Sequence, residues 1–102
     1  MAAAAAHPMT LRILTPAGIA LEEEATSIVA PGELGYIGIL RNHAPLVTTL
    51  KPGYVKWQRA SGARVARRIG AGLLEVAENR ITILTDAVEV ESPAQAESAR
   101  VA

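Results

Sequence analysis

The chain has no cysteine. That excludes a disulfide scaffold, thiolate catalysis and a zinc site built on cysteine, and it fits a reducing compartment. Charge of one sign is also missing: ten Lys and Arg balance ten Asp and Glu over 102 residues. Electrostatically driven nucleic-acid binding needs a net or clustered positive surface, so no nucleic-acid partner is expected. Aromatic residues are scarce, one Trp and two Tyr, which argues against stacking on single strands. No apolar run approaches the roughly 20 residues that span a bilayer, so direct membrane insertion is not expected. The opening MAAAAAHP has no basic segment and makes a poor signal peptide.

What the chain has is hydrophobic residues, 50% of the total, enough for one core without disulfide or metal support. Val, Ile and Thr are frequent through the ordered part, and turn residues recur at intervals of about ten, the pattern of an all-β sandwich or barrel. Strands are expected at Thr10–Thr15, Ile19–Leu21, Ala25–Ala30, Leu34–Leu40, Leu46–Leu50, Tyr54–Arg59, Ala63–Ile69, Leu73–Ala77 and Arg80–Thr85, with a last half-buried strand around Val88 and Val90. Turns fall at Pro16-Ala17-Gly18, Lys51-Pro52-Gly53, Ser61-Gly62 and Glu78-Asn79. Ile28 and Val29 read as a buried run, and Val55 and Trp57 as one inward face. Glu22-Glu23-Glu24 reads as a solvated strand edge where like charges discourage pairing with other chains.

The fold expected is therefore an all-β, about ten-stranded β-sandwich over residues 9–91. Residues 1–8 read as a disordered leader. Residues 92–102, where Ser92-Pro93 resembles a helix start, read as a tail or short helical stub.

The stretch from Ala30 to Leu50 is the densest in turn chemistry: Pro31-Gly32, Gly35, Gly38 and Asn42-His43-Ala44-Pro45 interrupt two apolar runs. His43 is the best candidate for a chemical role, but the other histidine, His7, lies in the leader and no metal-ligand spacing or paired nucleophile accompanies it. It reads as a loop histidine bonded to backbone. The glycines lack the Gly-Lys-Ser/Thr ending of a phosphate loop. No catalytic, metal-binding or cofactor-binding residue is assigned. Arg59, Arg64, Arg67 and Arg68 read as a solvated hairpin face. Glu33, beside Leu34 on a tight turn, reads equally as a contact tip or as plain exposure.

Four ordered blocks resemble the epsilon subunit of the F-type ATP synthase. They are Gly32-Glu33-Leu34-Gly35, His43-Ala44-Pro45-Leu46, Leu50-Lys51-Pro52-Gly53, and Gly70 to Val76 followed by Asn79 to Asp86. The resemblance covers roughly Met9 to Ser92. It implies a non-catalytic rotor subunit of the central stalk with a ten-stranded sandwich. Its partners would be the gamma subunit and the c-subunit ring, peripheral on the cytoplasmic face of a bacterial inner membrane. By the same matching, Gly32, Glu33, Leu34 and Gly35 would touch the ring, and His43, Ala44 and Pro45 would lie near ring and gamma.

Two departures from the family stand out. The segment between Gly35 and His43 is longer than its commoner form, so the loop facing the ring is expected to differ in shape. The family usually continues into a pair of C-terminal helices, whose absence here implies a short-type subunit without helix-based inhibition. A free-standing β-sandwich that binds a peptide or protein is the alternative from another class.

Overall fold

The computed structural model describes residues 8–89, and these form nine β-strands and no helix. In chain order they are β1 (Met9–Thr15), β2 (Gly18–Ala25), β3 (Ser27–Gly32), β4 (Gly35–Leu40), β5 (Leu46–Leu50), β6 (Gly53–Gln58), β7 (Arg64–Ile69), β8 (Gly72–Ala77) and β9 (Arg80–Thr85). Residues 1–7 and 90–102, which carry the expected leader and tail, lie outside the described part, as does Val90. Among the described residues no helix is long and apolar enough to cross a membrane.

Hydrogen bonding joins the strands in the order β2-β1-β9-β8-β5-β3-β6-β7, with β4 on the other edge of β3. The sheet folds over at β5 and β3 into two layers, β2-β1-β9-β8-β5 and β4-β3-β6-β7. The fold line is visible in the register: β3 pairs with β6 over Ser27 to Val29, but at Gly32 its partner is Leu50 of β5. Most neighbours are antiparallel; β1 and β9 run parallel, Thr10 to Leu14 against Arg80 to Leu84.

Inward side chains of both layers make one core. Leu11, Ile13, Leu74, Val76, Ile81 and Ile83 come from the first layer, and Ile28, Ile39, Val55 and Trp57 from the second. β1 and β6 alternate as their sequences predict. Val29 does not belong to a buried run: it alternates outward at 38% exposure between buried Ile28 and Ala30, because β3 has solvent on its outer face.

The turns follow their residue chemistry where backbone demands are strict. Glu78 and Asn79 both take positive φ, 52° and 62°, as a two-residue hairpin turn requires. Gly62 (φ 93°) closes the β6–β7 hairpin, and its N–H donates to the Arg59 carbonyl at 2.8 Å.

Three expectations are revised. The second strand is longer than Ile19–Leu21 and carries all three glutamates along a sheet edge. Gly53 opens β6 and is not among the positive-φ glycines; its role is close approach, since a Cβ there would lie 3.0 Å from the Pro31 Cβ. The tenth strand is reduced, among the described residues, to one bridge between Val88 and Ile69.

Candidate partner interface

The Gly32–Gly35 block is a two-residue hairpin turn: Gly32 pairs with Gly35, and Glu33 and Leu34 form the tip. Gly32 is buried, and a Cβ on it would come within 2.6 Å of both the Gly35 carbonyl oxygen and Ile37 Cδ1. Only glycine lets the backbone close so tightly there. Glu33 is tied down on one side. Its N–H donates to the Thr49 carbonyl at 3.2 Å, and its Oε1 accepts from Thr49 Oγ1 at 2.7 Å. Leu34 touches almost nothing, at 104% exposure.

Thr49 starts a row across the outer face of the first layer. Thr49 faces Leu73, Leu73 faces Leu84, Leu84 faces Leu14, and Leu14 faces Ile19. Ile19, Leu73 and Leu84 are 56%, 38% and 46% exposed. Beside them Leu14, Pro16, Ala71 and Asp86 help line a shallow groove of about 510 Å³. The next row inward along the strands holds Val47, Glu75, Thr82, Arg12 and Glu22. The first row is a continuous apolar strip at the end that carries the Glu33–Leu34 tip; Val47 and Leu40, away from that end, are exposed as well, at 64% and 65%. A contiguous exposed apolar strip is the kind of surface that meets a partner.

His43, Ala44 and Pro45 are at the opposite end. They precede β5, whose far end reaches Leu50 and so the Gly32 turn. His43 N–H donates to the Leu40 carbonyl at 3.1 Å, and its ring Nδ1 donates to the Ala44 carbonyl at 2.6 Å. The backbone-bonded loop histidine is what the structure contains. The segment between Gly35 and His43 is mostly strand, not loop: 35–40 is all β4, and Arg41 and Asn42 turn the chain. The two family blocks are therefore not brought together; they lie at opposite ends of the sandwich.

Sequence reading missed three features. The apolar row was hidden because outward Leu residues in half-buried strands look like core; the available signal was the adjacent pairs Leu73-Leu74 in β8 and Ile83-Leu84 in β9, which put an apolar side chain on each face. Thr49 and Asn79 act through partners 16 and 37 residues away, and local alternation carries no trace of such contacts.

The hairpin arginines are not a uniform solvated face. Arg59 forms a forked ion pair with Glu23 of β2, Nε to Oε1 at 2.6 Å and Nη2 to Oε2 at 3.2 Å. Arg67 lies over the Trp57 ring at 5.7 Å, and Arg68 over Tyr54 at 6.0 Å, both cation–π distances. The Arg59 hydrogen bond is the main cause holding the Glu23 carboxyl below its usual value; partial desolvation opposes it. The buried Trp57 indole N–H has no partner within hydrogen-bond geometry, and it adds a smaller contribution that favours the Glu23 charge. Among the described residues no group of His, Asp or Glu has metal-binding geometry.

Sheet order, the shared core and the tight turns describe an all-β sandwich. Residues 8–91 match the family described as ATP synthase, Delta/Epsilon chain, beta-sandwich domain. The ATP synthase epsilon chain of Moorella thermoacetica is 38% identical over 92 residues, 90% of this chain and 69% of the relative. That of Desulfitobacterium hafniense is 40% identical over 84 residues, 82% of this chain and 63% of the relative. That of Xanthomonas campestris is 51% identical over 63 residues, 62% of this chain and 45% of the relative. The chain thus spans less than two thirds of the length of some of these relatives.

Among solved structures, the fold is similar to a chain of the Euglena gracilis mitochondrial ATP synthase OSCP/F1/c-ring assembly. The TM-score is 0.75 at 20% identity, covering 92% of this chain and 62% of the other. A chain of the Tetrahymena thermophila mitochondrial ATP synthase central stalk and c-ring gives a TM-score of 0.65 at 14% identity, covering 92% and 87%. The chain belongs to the ATP synthase delta/epsilon β-sandwich family.

Proposed function

We propose that this chain serves as the β-sandwich of a central-stalk subunit of an F-type ATP synthase, without an active site of its own. It would link the gamma subunit to the c ring, peripheral to the cytoplasmic face of a bacterial inner membrane. The family match over residues 8–91 carries this reading, since it spans the whole described sandwich. The geometry suits the task. A rotor adaptor must grip two partners and not deform between them. A close-packed core supplies rigidity, and buried anchors with paired polar groups supply grip.

The Glu33–Leu34 tip, with Gly32 and Gly35 shaping it, is the contact offered to the polar loops of the c ring. Thr49 holds the Glu33 carboxylate in one direction, and Leu34 is the fully projecting apolar group. The opposite end, with His43, Ala44 and Pro45, is offered to gamma. Torque from ion-driven ring rotation would then pass along the strands of the sandwich.

Co-expression with the cognate gamma subunit, followed by size-exclusion chromatography with light scattering, tests the assignment. A stable one-to-one complex supports it. Two folded proteins that do not associate would favour the free-standing binding module instead.

A further inference from the structure

We infer that Asn79, in the β8–β9 turn, is a positioning residue that presets the 42–45 loop for its partner. The inference rests on the proposed rotor role. Asn42 and Asn79 both hold left-handed backbone, φ 67° and 62°, and they clasp each other with two hydrogen bonds. The Asn42 N–H donates to Asn79 Oδ1 at 2.6 Å, and Asn79 Nδ2 donates to Asn42 Oδ1 at 3.2 Å. The Asn79 carbonyl also accepts from the N–H of Thr10 at 2.9 Å. One turn residue thus anchors the start of β1 and the loop that leads into β5.

The consequence falls on His43. With its backbone N–H held by Leu40 and its Nδ1–H spent on the Ala44 carbonyl, the neutral ring has its tautomer set, leaving Nε2 as an acceptor. The loop therefore offers a fixed pattern, one imidazole acceptor beside the exposed Ala44 and Pro45. A partner surface that supplies one hydrogen-bond donor within an apolar patch fits it. Order imposed before binding need not be imposed during binding, and affinity rises accordingly.

The test uses the full chain and its cognate gamma subunit. Asn79→Gly keeps the left-handed turn and removes the clasp; Asn79→Asp keeps the acceptor for the Asn42 N–H and removes the donor. Amide hydrogen exchange at Asn42 and His43 and calorimetric binding to gamma are measured on each. The expected results for Asn79→Gly are faster exchange at both amides and about tenfold weaker binding, with Asn79→Asp intermediate. Unchanged exchange, or faster exchange with unchanged affinity, overturns the positioning role while the rotor reading stands. A wild-type chain that does not bind gamma overturns both.

Discussion

The Glu23–Arg59 pair ties an edge strand of one layer to the end of β6 in the other, and its removal is the most informative perturbation of the fold. Glu23 faces inward on β2, opposite Leu11, so the pair closes the open side of the sandwich above the core. Its side chains keep 43% exposure at Arg59 and 23% at Glu23, so solvent screens it. A fully exposed pair contributes about 0.2–1 kcal/mol, and forked geometry with part burial raises that toward the upper end. We expect a coupling of about 1 kcal/mol in a double-mutant cycle of Glu23→Gln and Arg59→Met. In a domain of this size each single change should lower Tm by about 4–8 °C.

The pH dependence follows from the direction of the Glu23 shift. Its folded-state value lies below the ordinary 4.5, so the folded protein binds fewer protons than the unfolded chain in that window. The stabilisation is present in full above the ordinary value and is lost as pH falls through the lowered one. Urea denaturation of wild type and Glu23→Gln at a series of pH values checks this. The stability gap should be constant near neutrality and close in acid. A coupling indistinguishable from zero at pH 7, or a gap that persists below the folded-state value, would refute the clasp.

Other outcomes follow from packing. A Cβ at Gly72 would overlap the Leu84 carbonyl, a backbone group that cannot rotate aside, so Gly72→Ala should cost about 1–3 kcal/mol in chemical denaturation. Ile83 is fully buried in the core shared by both layers; Ile83→Ala should cost about 2–5 kcal/mol, read by the same assay. Leu34→Ser should leave stability within about 0.5 kcal/mol, because the side chain packs on nothing. It should nevertheless weaken capture of the chain–gamma complex by detergent-solubilised c ring, and unchanged capture would remove Leu34 from the ring contact.

The sequence by itself determined the local architecture. β-branched alternation placed the strands, and residues with special backbone freedom placed the turns: Glu78-Asn79, Gly62 and Pro16-Ala17-Gly18 stand where their chemistry predicts. Each of these depends on residues within a few positions of one another. The family was legible too, because its blocks are short and ordered along the chain. Tertiary structure decided what depends on distant pairing. It set β1 parallel to β9, turned β3 from one layer to the other at Gly32, and exposed Val29. It lined Ile19, Leu14, Leu84 and Leu73 into one row, and clasped Asn42 to Asn79. It also separated the Gly32 and His43 blocks, close in sequence, by the length of β5. Alternation tells which residues share a strand face, but the partner strand decides whether that face meets core, solvent or another protein.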